Sequence, residues 1–342
     1  MRPGRQSRRT FLARGLAALS GAVLARAAGT RGGIGRGLAH AQEIWGQIAG
    51  LTTETTPVGK FYTVSKNIFD PAVDATTWKL AVRGQVERSY ALTLDELRRL
   101  PSVTRPHTLM CISNEIGGDL ISNAAWKGVP LQVILNRAGV RAGATKVVLR
   151  GRDGYSDSFP LSAARLEGTI LAYEMNDKPL ERQHGFPVRV LVMGLYGIKN
   201  VKWLSELEVV DHDYKGYWQG RGWTDTAVYK TFSRIDVPAA GATLKRGERS
   251  WLAGVAFAGH RGIRTVEVTV DGGKAWQPAR VKPAVGDHTW VLWAFEWTPA
   301  APGSATLMVR AVDGTGAAQP VGPTPPLPDG VEGLHTLAVQ VA

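Results

Sequence analysis

The chain changes its sequence pattern near Lys230, and this change constrains the fold more than any other feature. From there on, no segment keeps a helical period, and apolar residues alternate with polar ones in short runs. Val266, Val268 and Val270 form one such run, and Asp271 then begins an Asp-Gly-Gly hairpin turn. Further runs follow at strand-and-turn spacing. The pattern predicts an all-β sandwich over residues 231–342.

Residues 42–230 mix strands and short helices without a repeating period. The segment TWKLAVRGQVE alternates as a strand. Thr93 and Glu96 form a capping box that begins a short helix, and a second helix is predicted from about residue 130 to its stop at Gly139. We therefore expect an α+β or mixed domain in this part of the chain, followed by the sandwich.

Residues 1–41 form a basic leader. They hold eight arginines and no acidic residue, so 33 basic and 29 acidic residues remain in the rest of the chain. The net charge of +12 therefore comes mainly from the leader, which argues against a nucleic-acid partner. The pair Arg8-Arg9, an apolar run too short to span a bilayer and the small-residue motif Ala39-His40-Ala41 predict export by the twin-arginine route. We expect a periplasmic or other extracytoplasmic protein, with its leader either cleaved or kept as a membrane anchor.

Cys111 is the single cysteine of the chain, in the segment TLMCISNEIGG. It ends an apolar run and precedes the pair Gly117-Gly118, which would let the backbone approach a ligand closely. One cysteine excludes an internal disulfide and a structural zinc site, which needs several Cys or His ligands. A buried inert thiol, a reactive thiol and a metal ligand remain as interpretations. A metal here would need further ligands from outside this segment, because no dense cluster of His or carboxylate residues is nearby in the sequence, and a sulfur-bearing organic cofactor would supply them.

Several segments in a fixed order resemble the sulfite oxidase superfamily of molybdenum enzymes. They cover nearly all of residues 60–342 and are CISNEIGGD with WKGVPL, DGYSDSFPL, MNDKPLERQHGFPVRV, GIKNVKWL, DYKGYW and GVAFAGHRGIRTVEVTVDGGKAW. The resemblance implies a sulfite-oxidase-type molybdopterin domain over residues 42–230 and an immunoglobulin-like, dimerisation-type sandwich over residues 231–342. It also implies one molybdenum–molybdopterin cofactor per chain, in which the dithiolene sulfurs of the pterin complete the metal shell.

The resemblance also assigns roles to single residues. Cys111 would bind molybdenum, and Tyr214 in DYKGY would reach toward the substrate oxygens at the metal. The residues expected to hold the pterin and its phosphate are Asn67, His184, Arg189, Asn200, Val201 and Lys202. Fixed positive charge from arginine and lysine suits a terminal phosphate inside a protein.

Three positions depart from the pattern of true sulfite oxidases, which surround the substrate with arginines. Glu115 follows the cysteine closely, Lys66 stands where an arginine is expected, and His212 precedes DYKGY. The expected attraction for an anion is therefore weaker, and a substrate other than sulfite stays open.

The resemblance implies two-electron oxygen-atom transfer on a small oxyanion or oxide. Because the chain has no Cys-x-x-Cys-His haem motif, electrons would pass to a separate protein, either a cytochrome or a quinone-linked protein. A sulfoxide or oxide reductase on the same site is one alternative, and a cofactor-free exported binding protein is another. The aromatic strand TWVLWAFEW is either a homodimer interface or part of the sandwich core.

Overall fold

The computed structural model describes residues 44–342, so the predicted leader lies outside the described residues. Residues Gly50–Ala342 form one compact unit, and four β-sheets make up most of its regular structure. None of the helices in the described part of the chain has the length and apolar character needed to cross a membrane.

The first ten strands of this unit form two five-stranded sheets. Their bounds are β1 Lys79–Gly84, β2 Tyr90–Thr93, β3 Val103–Met110, β4 Ile121–Pro130, β5 Lys146–Gly151, β6 Ser156–Pro160, β7 Ile170–Met175, β8 Lys178–Pro179, β9 Arg189–Leu191 and β10 Leu204–Val210. One sheet has the order β2-β1-β10-β5-β6, and the other has the order β3-β4-β7-β8 with β9 also paired to β7. Leu80 and Leu207 of the first sheet pack with Val129 and Leu171 of the second in one hydrophobic core.

Three short α-helices accompany these sheets within Gly50–Ala342: α1 Leu94–Arg98, α2 Leu131–Ala138 and α3 Leu161–Ala164. The predicted capping box is confirmed, since Thr93 accepts from the N–H of Glu96 and the Glu96 carboxylate accepts from the N–H of Thr93. The second helix ends at Gly139 as predicted, with φ of 69°. The third helix is only one turn long, because the chain turns back at once into β7. This part is therefore mostly β, with less helix than the α+β expectation implied.

The remaining nine strands form two further sheets. Their bounds are β11 Phe232–Val237, β12 Thr243–Leu244, β13 Ser250–Phe257, β14 Ile263–Thr269, β15 Gln277–Pro278, β16 Arg280–Val281, β17 Val291–Trp297, β18 Gly303–Asp313 and β19 His335–Val341. The sheet β11-β13-β17-β16 packs against the sheet β12-β19-β18-β14-β15 over a shared core that includes Val266, Val268 and Trp293. Phe295 and Trp297 pack against the same core, so the aromatic strand belongs to the interior of the sandwich.

Strand β3, which leads to Cys111, is supported from both parts of the chain. Strand β4 pairs with it along its whole length. From the second part, the carbonyl of His288 accepts from the N–H of Thr108 at 2.9 Å, and the N–H of Trp290 donates to the Thr108 hydroxyl at 2.9 Å. The loop before β17 therefore helps to fix the strand that positions the cysteine.

Candidate functional site

Cys111 is the first residue after β3, and a tight turn holds it there. Its N–H donates to the carbonyl of Leu120 at 2.9 Å, and its carbonyl accepts from the N–H of Asn114 at 3.1 Å. The Asn114 side chain also accepts from the N–H of Leu120 at 2.8 Å, which closes the turn. The thiol is free, is 9% exposed and lies 3.0 Å from the Ser113 hydroxyl. The sulfur atom therefore has a fixed position at the wall of a cavity.

The cavity beside Cys111 has a volume of about 360 Å³. Six separate stretches of the first part of the chain line it. Four of the eight predicted site residues are in this lining, namely Cys111, His184, Arg189 and Lys202. Residues more than 90 positions apart in sequence thus meet around one thiol, as the resemblance implied.

Arg189, at the start of β9, is a buried cation without a carboxylate partner in the described part of the chain. It is 6% exposed, and its two terminal nitrogens donate to the carbonyls of His184 and Asn200, each at 3.2 Å. Its Nε has no hydrogen-bond partner. Burial lowers the pKa of Arg189 to about 10. A buried charge is costly unless an opposite charge compensates it, so this site calls for an anionic ligand.

Lys202 brings a second cation to the same cavity. Its ammonium donates to the Ser65 hydroxyl at 2.8 Å and to the carbonyl of Gln183 at 3.0 Å, and it lies 4.3 Å from the centre of the Trp203 ring. No carboxylate within the described residues forms an ion pair with it. Burial, reinforced by the charge of Arg189, lowers the pKa of Lys202 to about 8. The two cations together fit a phosphate group, which needs fixed positive charge and several donors.

His184 adds a polar group that is neutral at pH 7. It is 1% exposed, and its Nε2 lies 3.2 Å from the carbonyl of Val58. Burial and then the charge of Arg189 lower its pKa. Because a carbonyl can only accept, Nε2 carries the proton, and the neutral ring keeps Nδ1 as an acceptor for a donor on a ligand.

Three predicted cofactor residues lie outside the cavity lining. Asn67 is exposed and donates to the carbonyl of Asp153 at 3.0 Å. Asn200 is buried, and its side chain accepts from the N–H of Val192 and donates to two carbonyls, while its own carbonyl accepts from Arg189. Val201 is part of the hydrophobic core. Asn200 therefore positions Arg189 rather than facing the cavity.

Tyr214 also lies outside this lining, although the sequence assigned it to the substrate. Its hydroxyl accepts from Arg150 at 3.0 Å and donates to Ser156 at 2.9 Å, on the sheet formed by β5 and β6. The tyrosines that do line the cavity are Tyr62 and Tyr155. The sequence analysis missed both, although Tyr155 lies in the recognised segment DGYSDSFPL.

The glycines at the site differ from the expected ones. A side chain at Gly117 would collide with His335, and one at Gly118 would collide with Asn114, so this pair serves loop packing and not ligand approach. Gly197 instead lines the cavity, and a Cβ there would lie 2.9 Å from the Tyr62 hydroxyl. The close backbone approach beside the cysteine therefore comes from the segment GIKN.

Comparison with known proteins agrees with this geometry. An oxidoreductase molybdopterin binding domain matches residues 67–218, and a Mo-co oxidoreductase dimerisation domain matches residues 225–326. The mitochondrial sulfite oxidase of Macaca fascicularis is 32% identical in an alignment of 314 positions that covers 77% of this chain and 57% of that protein. The sulfite oxidase of Gallus gallus is 32% identical in an alignment of 316 positions that covers 78% of this chain and 68% of that protein. The chain thus spans a little over half the length of the mitochondrial relative.

A solved structure extends the likeness to the fold. The sulfane dehydrogenase SoxCD from Paracoccus pantotrophus superposes with a TM-score of 0.76 at 25% identity, over 85% of this chain and 82% of that chain. Two consecutive domain matches, the similarity to sulfite oxidases and the cavity with two buried cations around Cys111 lead to one assignment. The chain belongs to the sulfite oxidase superfamily of molybdopterin-binding, molybdenum-dependent oxidoreductases.

Proposed function

We propose that the protein catalyses two-electron oxygen-atom transfer at a molybdenum–molybdopterin cofactor, one per chain. The observation that carries this proposal is the placement of Arg189 and Lys202. Both are cations in the wall of the Cys111 cavity, and neither forms an ion pair with a carboxylate of the described residues. An anionic group must therefore enter the cavity to compensate their charge, and the pterin phosphate meets this need.

Four side chains of the cavity lining would hold the cofactor. Cys111 would bind the metal through its thiolate, a soft ligand suited to molybdenum. Arg189 and Lys202 would bind the phosphate, with Asn200 holding the guanidinium in place, and His184 would accept a hydrogen bond from the pterin. When bound, the molybdenum cofactor supplies two-electron redox chemistry and exchange of an oxygen atom with water.

The rest of the lining acts on the substrate. Tyr62 and Tyr155 present hydroxyl groups to the cavity, while Trp218 and Trp223 add apolar surface to its lining, which would limit access of water. Lys66 is a lining cation whose ammonium also donates to Asn67 at 2.8 Å. The ammonium of Lys66 would attract a small oxyanion, and a neutral oxide would also be admitted beside it.

Oxidation is the direction we favour, because the chain carries a second, sandwich part like the sulfite oxidases to which it is similar. Reduction of a sulfoxide or another oxide at the same cavity is the alternative. In the oxidation direction, electrons leave to a separate protein, either a cytochrome or a quinone-linked protein.

The organisation of the whole protein follows the same proposal. A twin-arginine leader would export the folded chain to the periplasm or another extracytoplasmic space. The molybdopterin domain would cover residues 42–230, and an immunoglobulin-like domain over residues 231–342 would form a homodimer. The match to a dimerisation domain supports this arrangement. The dimer contact would lie away from Trp293, which is buried within its own chain.

Elemental analysis tests the proposal. Protein from a host that makes the cofactor should contain about one molybdenum per chain, and Cys111→Ala should lose it because the thiolate ligand is gone. Ser113→Ala is the matched control, since it removes the neighbouring hydroxyl and leaves the sulfur in place. Wild-type protein without molybdenum would refute the enzyme proposal in favour of a cofactor-free binding protein.

A further inference from the structure

A row of hydrogen-bonded ionisable side chains runs from the cavity wall to the protein surface. We call it the buried ion chain, and its members in order are Tyr155, Asp157, Lys199 and Asp225. Each member is joined to the next by a hydrogen bond of 2.7 to 2.9 Å. The resemblance assigned no role to these four side chains, and the proposed binding of the cofactor does not use them, so their role needs a separate explanation.

Tyr155 forms the cavity end of the chain. Its hydroxyl donates either to Asp157 Oδ2 at 2.9 Å or to the carbonyl of Ile198 at 2.7 Å. A hydroxyl has one proton, so two acceptors at this range give it two orientations of similar quality. The oxygen atom can therefore accept a proton on its cavity side while it gives its own proton to Asp157.

Asp157 and Lys199 form the middle of the chain, and both are fully buried. Lys199 uses its three protons in bonds to Asp157 Oδ1 at 2.7 Å, the carbonyl of Ser158 at 2.9 Å and Asp225 Oδ1 at 2.9 Å. Asp157 Oδ2 also accepts from Gln219 at 3.3 Å. Burial raises the pKa of Asp157 despite the nearby ammonium. An ammonium between two carboxylates can pass a proton to one and take a proton from the other.

Asp225 forms the outer end, where its side chain is 23% exposed. Its second oxygen accepts from Lys146 at 2.6 Å and from Lys215 at 3.4 Å. Both lysines also pair with Asp213, which is 61% exposed. A proton that reaches Asp225 is therefore in direct exchange with water.

Stability alone explains this arrangement poorly. A buried ion pair costs so much desolvation that apolar side chains of equal volume often stabilise a protein as well or better. A cluster kept only for structure also has no reason to end on a cavity at one side and on solvent at the other. The hydrogen bonds of the buried ion chain instead connect the cavity with the solvent.

We infer that the buried ion chain conducts protons between the cavity and solvent during turnover. The inference rests on the proposed function, in which oxidation of substrate with oxygen from water releases two protons with the two electrons. For each proton, Tyr155 takes one from the cavity and gives one to Asp157, Asp157 passes one to Lys199, and Lys199 passes one to Asp225, which releases it to water. Rotation of the Tyr155 hydroxyl, the Asp157 carboxyl and the Lys199 amine then restores the starting hydrogen bonds, and the buried ion chain returns to its starting charge. When the cofactor is reduced, protons pass along the same side chains in the opposite direction, from solvent to the cavity.

Proton uptake during reduction without substrate tests the inference. Full-length, molybdenum-loaded protein is reduced anaerobically with titanium(III) citrate in a stopped-flow instrument, and a pH-indicator dye in weak buffer follows the protons. Tyr155→Phe and Asp157→Asn should each slow the uptake at least about tenfold at wild-type molybdenum content. Tyr217→Phe is the matched control, because its ring lies 6.2 Å from that of Tyr155 but its hydroxyl is not a member of the chain.

A second readout uses cofactor-free protein and needs no turnover. The infrared band of the protonated Asp157 carboxyl is identified by its loss in Asp157→Asn. Asp225→Asn should move the midpoint pH of this band down by about half a unit or more, because loss of the outer carboxylate leaves Lys199 to bind Asp157 alone.

The outcomes separate the two proposals. Wild-type protein without molybdenum would overturn both the proposed function and the proposal that the buried ion chain conducts protons. Normal molybdenum content with unchanged proton uptake in Tyr155→Phe or Asp157→Asn would overturn the proton path alone. An unchanged midpoint pH of the Asp157 infrared band in Asp225→Asn would also overturn the proton path, since Asp157 and Asp225 would then titrate independently.

Discussion

Replacement of Arg189 by methionine should stabilise the cofactor-free protein while it weakens cofactor binding. Burial lowers the pKa of Arg189 from its ordinary value to about 10. At about 1.4 kcal/mol per pKa unit, the charged group costs the cofactor-free fold about 3 kcal/mol. Methionine fills a similar volume without a charge, but the mutation loses two hydrogen bonds to carbonyls, each worth about 1 kcal/mol. The expected net gain in the free energy of unfolding is about 1 kcal/mol.

The size of the penalty for burying the charge of Arg189 depends on pH. The folded-state pKa of Arg189 lies below the unfolded-state value, so the unfolded chain binds the proton more tightly. The penalty is therefore complete at every pH below about 10 and fades as the pH rises from 10 toward 12.5. Measurements at pH 7 record the full effect.

Urea unfolding at pH 7, followed by tryptophan fluorescence, measures the change in protein from a host without cofactor synthesis. Arg150→Met is the matched control, because Arg150 has carboxylate partners in Glu206 and Glu208 at 2.8 and 2.7 Å. Since these pairs are partly exposed, the control should lose up to about 1 kcal/mol. The reasoning would be refuted if Arg189→Met were destabilised as much as the control, or if it kept wild-type molybdenum in a competent host.

Three further predictions concern the same cavity. Cofactor uptake by the cofactor-free protein should weaken as the pH rises through about 8, where Lys202 loses its charge; Lys202→Arg should flatten this dependence in loading assays between pH 7 and 9, and an equally steep profile would contradict it. Gly197→Ala should lower the melting temperature by a few degrees, since its Cβ would press on the Tyr62 hydroxyl at 2.9 Å, whereas Gly59→Ala, with open space around it, should change little. Tyr214→Phe should keep wild-type molybdenum content and lower the turnover rate less than about tenfold, because its hydroxyl is bonded to Arg150 and Ser156 and is not part of the cavity lining; a larger loss would support the role that the resemblance assigned to it.

Local sequence patterns were reliable where neighbouring residues decide the structure. The capping box of Thr93 and Glu96, the stop at Gly139 and the alternating valines of β14 all depend on contacts within a few positions. The family resemblance also singled out the cysteine and the cations that meet at the cavity. Their meeting could be expected only from the resemblance, since no spacing rule joins Cys111 to residues of β9.

Sequence reasoning could not reach the features that depend on contacts between distant parts of the chain. Tyr214 and Tyr155 both follow short strand segments, and nothing in one sequence tells which hydroxyl faces the cavity. Arg150, which holds the Tyr214 hydroxyl, is 64 positions away. The sequence analysis gave Lys199 no role, and its ammonium is buried between two carboxylates that are 42 and 26 positions away. Charge pairing of this kind is visible only once the sheets are in place.

The hydrogen bonds that Thr108 makes with the loop before β17 also set the timing of assembly. Thr108 and Trp290 are 182 residues apart. A ribosome that has already made Cys111 must therefore translate most of the remaining chain before the strand next to that cysteine has all its bonds. We therefore expect the cofactor to be inserted only after Trp290 has been synthesised. A premature stop codon before residue 288 would leave the complete set of cavity residues but remove both of these hydrogen bonds.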